Sequence, residues 1–201
     1  MAEGRSAGIV LAAGASARMG EPKQLLTVRG RPLLELVVAQ ACASRLDEVV
    51  VVLGANADVI RAGVDLGRAR AVVNPDHAQG MSTSLKAGVH PLHAEVGRAV
   101  VILGDQPDVD AATIDRLLDA QSGSGLPAAA LRIGDVLHPP VVLRRELWPD
   151  LMALQGDVGC RALIRARPEL VAVLDAPGPG DHPVDIDTRE DYQRLLEGGG
   201  G

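Results

Sequence analysis

The sequence predicts one α/β domain built around a doubly wound sheet with helices on both faces. Three observations predict it. Gly8–Ala12, Glu48–Leu53, Arg70–Val73 and Arg98–Leu103 are continuous apolar runs rich in Val, Ile and Leu. Strands covered by helices on both faces read this way, whereas half-exposed strands alternate. Between these runs lie segments with apolar residues at helical spacing, and strand alternating with helix is the signature of a parallel α/β sheet. The third observation is length, since 201 residues correspond to about one domain.

The elements follow in order. The first strand covers Gly8–Ala12, after a flexible N-terminus over residues 1–7. Leu33, Leu34, Val37, Val38 and Ala41 mark a helix, and a strand follows at Glu48–Leu53. After the strand Arg70–Val73, a polar loop leads into a helix that begins near Ser82. The strand Arg98–Leu103 is followed by a helix after Asp110, with Ile114, Leu117, Leu118 and Gln121 on one face. In the second half, Pro127–Leu131, Val141–Leu143, Leu170–Leu174 and Val184–Ile186 read as strands, and Leu147–Leu154 and Gly159–Ala166 as helices. Pro177-Gly178-Pro179-Gly180 reads as a loop inside the fold. Thr188 with Asp191 three residues on has capping-box spacing, opening a last helix through Leu196. The Gly-rich tail over residues 198–201 is expected to be disordered, leaving the folded domain at residues 8–197.

Composition excludes several classes. Apolar residues make up 47% and charged residues 23%, which is ordinary globular usage rather than disorder. There is no Phe, one Trp and one Tyr, too few for an aromatic platform on single-stranded nucleic acid. The net charge of −6 argues against a duplex-binding surface. No apolar run approaches the roughly 20 residues of a membrane span. Arg5, the apolar Gly8–Ala13 and Ala15-Ser16-Ala17 loosely mimic a secretory leader. The apolar stretch is short and runs straight into Gly14, so it is read as a buried strand. Cys42 and Cys160 lie far apart without a C-x-x-C pair, which fits a reducing, cytoplasmic setting.

Four stretches carry the chemistry. Leu11-Ala12-Ala13-Gly14-Ala15-Ser16-Ala17-Arg18-Met19-Gly20 follows the first strand, with Lys23 just beyond. Small residues let backbone N–H groups approach a phosphate chain, and Arg18 and Lys23 add positive charge. The spacing fits neither a Walker A loop nor G-x-G-x-x-G, and a plain strand–loop connection has the same look. Asp105 closes an apolar strand where α/β sheets bind ligands. It suits Mg²⁺, which takes one or two carboxylates plus substrate phosphates, or it caps a turn before Pro107. Asp185 and Asp187, two residues apart, would share one face of a strand, or start the following helix. In Asn74–Ser84, helix-start N–H groups and hydroxyls could read a base or ribose, or simply belong to a capped helix. His77, His90, His93 and His182 have no metal spacing and read as surface or loop residues, Met81 and Met152 as packing. Neither Cys has a local partner that suggests a nucleophile.

These stretches also carry a resemblance. The L-A-A-G-x-S-x-R-M-G-x-x-K loop, the L-G-D-Q-P strand end, the G-M-S-T-S-L loop and the late D-I-D-T-x-E-D resemble, in order, the MobA-like NTP transferase family. The closer likeness is to its molybdenum cofactor cytidylyltransferase branch. The resemblance runs from about Gly8 to Leu196. It implies a single Rossmann-like, mainly parallel sheet of the nucleotidyltransferase, glycosyltransferase-A-like kind. It implies CMP transfer from CTP to molybdopterin-bound molybdenum, with Mg²⁺ as cofactor and transient contact with a molybdoenzyme or its maturation factor. Arg18, Lys23 and Asp105 would be catalytic. Leu11, Ala12, Ala13, Gly14, Arg18, Lys23, Gly80, Ser84 and Asp105 would bind nucleotide, and Asp105 with Asp187 would hold the metal. His138-Pro139 resembles a Gly-His-Pro turn at the acceptor pocket, with Leu137 in place of Gly. Arg189 stands where the late motif often has Pro. GTP in place of CTP, another phosphorylated acceptor, a non-catalytic cofactor-binding module and an NAD(P)-dependent oxidoreductase are the rival readings.

Overall fold

The computed structural model describes residues 4–15, 20–176, 185–186 and 188–198. Its strands are β1 (Arg5–Ala12), β2 (Thr27–Val28), β3 (Arg31–Pro32), β4 (Glu48–Leu53), β5 (Arg70–Val73), β6 (Val96–Leu103), β7 (Ala128–Ile133), β8 (Val136–Arg144) and β9 (Val171–Asp175). Its helices are α1 (Leu33–Ala43), α2 (Ala57–Gly63), α3 (Met81–Val89), α4 (Ala111–Ser124), α5 (Trp148–Ala153), α6 (Cys160–Ala166) and α7 (Arg189–Gly198). Seven strands form one sheet in the order β5-β4-β1-β6-β8-β7-β9, and β2 and β3 form a separate small hairpin. Within the large sheet β8 runs antiparallel to both of its neighbours, and the other pairings are parallel.

The apolar runs of β1, β4 and β6 are explained by burial on two faces, whereas β5, at the sheet edge, is only partly buried and leaves Val73 exposed. Val49, Val51 and Leu53 of β4 belong to one core cluster with α1 and α4 residues such as Val37, Val38, Leu117 and Leu118. Val50 and Val52 of the same strand belong to a second cluster, with Leu85 of α3 and with Trp148, Leu151 and Ile164 of α5 and α6. Successive side chains of a strand point to opposite faces, so both sets must be apolar. The buried faces of α1 and α4 are those predicted by spacing: Leu33, Leu34, Val37, Val38 and Ala41, then Ile114, Leu117, Leu118 and Gln121. Asp110 caps α4 by accepting a 2.7 Å bond from the Thr113 N–H.

Several boundaries differ from the sequence reading. The first strand begins at Arg5, so Arg5–Ala7 belong to the sheet and not to a flexible N-terminus. They pair with β6, and Ala7 with β4 as well, which supplies their ladder bonds. Asp185 and Ile186 lie outside any strand, because Ile186 packs into a small cluster with Leu26, Val28 and Leu33 rather than onto the sheet. The last helix reaches Gly198, one residue into the expected tail. The loop at Pro177–Gly180 lies outside the described residues. The capping box forms as spaced: the Thr188 N–H donates to Asp191 Oδ2 at 2.8 Å, and the Asp191 N–H donates back to Thr188 Oγ1 at 3.2 Å.

Candidate active site

A cavity of about 300 Å³ opens beyond the carboxyl ends of β1 and β6. β1 stands between β4 and β6. The chain leaves β1 toward β4 and β5, then crosses back to β6 on the other side. That reversal is the switch point where open α/β sheets bind ligands. Leu11, Ala12, Ala13 and Gly14 line one side, Leu103, Gly104 and Asp105 the next, and His77, Gly80, Met81 and Ser84 the third. Lys23, Gln24, Asp157 and Asp185 complete it. All the expected nucleotide-binding residues that fall among the described residues therefore surround one cavity. Arg18 and Asp187 lie outside the described residues.

The centre of the site is an ion pair. Lys23 Nζ contacts Asp105 Oδ2 and donates to the Ile186 carbonyl at 3.2 Å. Only 16% of the Lys23 and 15% of the Asp105 side chain are exposed. The cation expected on phosphates and the carboxylate expected on a metal are thus direct partners, which sequence separation of this size conceals. Two further bonds fix the late segment beside them. The Ile186 N–H donates to the Asp105 carbonyl at 3.3 Å, and Gln106 Nε2 donates to Asp185 Oδ1 at 2.6 Å. Asp185 thereby faces the cavity by way of Gln106, not by strand alternation.

The third wall is the capped start of α3. The first N–H groups of α3 already have protein acceptors. Met81 donates to Asp157 Oδ1 at 3.3 Å, Ser82 to the Gly156 carbonyl at 3.2 Å and Thr83 to the Gly80 carbonyl at 3.2 Å. The loop at 156–157 caps the helix, so these groups are engaged by protein rather than presented to a base. Gly80, at φ +112°, permits this approach: a Cβ there would stand 2.3–2.5 Å from the Gly156–Asp157 backbone. Ser84 is buried, and its hydroxyl oxygen accepts from Asn74 Nδ2 at 3.0 Å. Gly54, just past β4, has a similar reason: its Cβ would lie 2.6 Å from both the Ala13 carbonyl oxygen and His77 Cβ.

His138 lies in β8 opposite Leu131 and is not among the cavity's lining residues. His77, read from sequence as a surface or loop residue, is half-buried in the cavity wall. Gln24 and Asp157 went unnoticed in the sequence. Gln24 adjoins Lys23 without any motif of its own, and Asp157 comes from a distant loop. Cys160 is buried, and burial pushes its thiol up to about 12, consistent with a packing role.

Residues 8–173 match the MobA-like NTP transferase domain. The chain belongs to the MobA-like NTP transferase family. It is a nucleotidyltransferase of that family, and its sheet is the family's fold. Among its relatives, nicotine blue oxidoreductase of Paenarthrobacter nicotinovorans is 37% identical over 199 residues, covering 94% of this chain and 95% of that protein. Purine catabolism protein PucB of Bacillus subtilis is 31% identical over 197 residues, covering 94% of each. The crystal structure of Rv0371c from Mycobacterium tuberculosis aligns at a TM-score of 0.86 and 33% identity, covering 97% of this chain and 99% of that one. A manganese complex of Rv0371c aligns at 0.83, with 33% identity over 96% of this chain and 98% of that one.

Proposed function

We propose that this MobA-like enzyme transfers CMP from CTP to a molybdopterin-type molybdenum cofactor and releases pyrophosphate. The observation that carries nucleotidyl transfer is the meeting of Lys23 and Asp105 in a cavity at the switch point, beside a loop of small residues. An oxygen of the acceptor's phosphate attacks the α-phosphorus in line. The bond to the bridging oxygen of the β-phosphate breaks, and that oxygen keeps the electron pair. The nucleophile is an anion at neutral pH, so no general base is needed. His77 stands in the cavity wall without being required as one.

The task of the chain is then positioning and charge neutralisation. Lys23 and the loop N–H groups neutralise charge on the leaving pyrophosphate, with Arg18 in the same role. Asp105 and Asp185 offer hard carboxylate oxygens to one cavity. Among the described residues no three His, Cys, Asp or Glu side chains converge as a metal cage. Carboxylates at this place suit Mg²⁺, which takes one or two of them and fills its shell with phosphate oxygens and water. Asp187 joins this set in the proposed reading, and the manganese bound by the similar Rv0371c supports a divalent cation. When bound, the cation supplies charge neutralisation at the α-phosphate.

The test is pyrophosphate release with each NTP, Mg²⁺ and purified molybdopterin cofactor. CTP with that acceptor should dominate. Equal release from GTP moves the chain to guanylyl transfer, and release with sugar or alcohol phosphates replaces the acceptor. A second reading is favoured by the name of the 37% identical relative, an oxidoreductase. Oxidation of a reduced nicotinamide cofactor coupled to reduction of nicotine blue, without pyrophosphate release, would establish it. Binding without either reaction would leave a cofactor-binding module. Contact with a molybdoenzyme or its maturation factor in the cytoplasm belongs to the same proposal. No helix among the described residues is long and apolar enough to cross a membrane.

A further inference from the structure

Gln24 is 2% exposed, a rare degree of burial for a glutamine. Its Nε2 donates to the Ala12 carbonyl at 3.0 Å and to the Gly14 carbonyl at 3.1 Å. A primary amide nitrogen has two hydrogens, so this pair of bonds uses both. The two acceptors sit on alternate peptide units of the loop that lines the cavity. We infer that Gln24 is a positioning residue, which presets the loop after β1 for the phosphates of a nucleoside triphosphate.

The argument is one of peptide geometry. A peptide unit is planar and trans, so its N–H points opposite to its C=O. The carbonyl of Ala12 shares a unit with the N–H of Ala13, and that of Gly14 with the N–H of Ala15. By drawing both carbonyls to itself, Gln24 turns both N–H groups to the opposite side of the loop. Backbone N–H groups turned to one side can together be presented to an anion. The rest of the chain leaves room for this arrangement. Ala12, Ala13 and Gly14 have small or absent side chains, and Gly54 lets the loop approach the end of β4. Gln24 directly follows Lys23, so one three-residue turn, Lys23–Leu25, carries both the phosphate cation and the staple of the phosphate loop.

The inference rests on the nucleotidyl-transfer reading, and its test separates the two. Gln24→Glu keeps the shape and, when ionised, loses both donors. Gln24→Met keeps the length and loses both as well. For each folded variant, affinities for CTP, inorganic pyrophosphate and cytidine are measured by ligand-observed NMR and compared with the parent protein. CTP and pyrophosphate should weaken by roughly tenfold or more, the scale of a lost hydrogen bond to a charged group. Cytidine, which has no phosphate, should bind within twofold of the parent. CTP and pyrophosphate binding unchanged, or cytidine weakened in parallel, would overturn the positioning role. Failure of both variants to fold would overturn it too and make Gln24 a structural staple. Failure of the parent protein to bind CTP at all would instead remove the functional reading.

Discussion

Neutralising either partner of the Lys23–Asp105 pair should cost stability and activity together, and the structure sets the scale. From sequence, Lys23→Ala reads as a change that spares the fold. The ion pair changes that expectation. Both side chains are about 85% covered, so removing one partner takes a close, poorly hydrated ionic contact from the other. Breaking a fully buried pair costs about 3–5 kcal/mol. With part of each side chain still wet, about 2–3 kcal/mol is the working figure for Lys23→Met or Asp105→Asn. For a chain of this length each kcal/mol moves Tm by about 2–4 °C, so each single variant should melt roughly 4–12 °C lower. The double variant loses the same contact only once, so the two losses should not add, with a coupling of at least about 1 kcal/mol. Turnover should fall by roughly 10²-fold or more in each single variant, and the double variant should be little slower, as for groups that act as a unit. Thermal melts and pyrophosphate release on the four proteins complete the cycle. Stability losses that add to within about 0.5 kcal/mol would show that the pair does not form in solution, and the reasoning would fail.

Divalent cation should raise the Tm of Lys23→Met more than that of the parent, because Asp105 then has no lysine to displace; equal shifts would argue against Asp105 as a ligand. Gly80→Ala should lower Tm by several degrees without ligand, since the new Cβ meets the Gly156–Asp157 backbone at 2.3–2.5 Å, and an unchanged melt would refute that packing. Asp187→Asn should cut cation-dependent turnover severely while holding Tm within a few degrees, and Asp185→Asn should do less; melting of Asp187→Asn with turnover per folded molecule intact would make that carboxylate structural. Burial raises the Cys160 thiol from 9.0 to about 12, so the unfolded chain releases this proton first and stability should fall as pH rises from 9 toward 12, by up to about 1.4 kcal/mol per pH unit. Urea melts of Cys160→Ala should lack that slope, and an equal slope in both proteins would refute the assignment.

Sequence by itself determined the architecture and the ends of the strands that bear the site. The α1 and α4 faces and the runs in β1, β4 and β6 were legible because burial imposes a local pattern. Periods of two and 3.6 residues are read within one element, and capping at Thr188–Asp191 is equally local. The resemblance to the MobA-like family also implied Leu11–Gly14, Lys23, Gly80, Ser84 and Asp105 as neighbours. What the tertiary structure alone decided is how those groups pair. Lys23 meets Asp105 across 82 residues, Gln106 orients Asp185 across 79, and Asp157 caps α3 across 76. His138 lies outside the cavity because the ladder of β8 fixes it opposite Leu131. A hydrogen bond or ion pair between distant segments depends on where the packed sheet and helices set their ends. Such a contact leaves no period in the sequence by which it could be read.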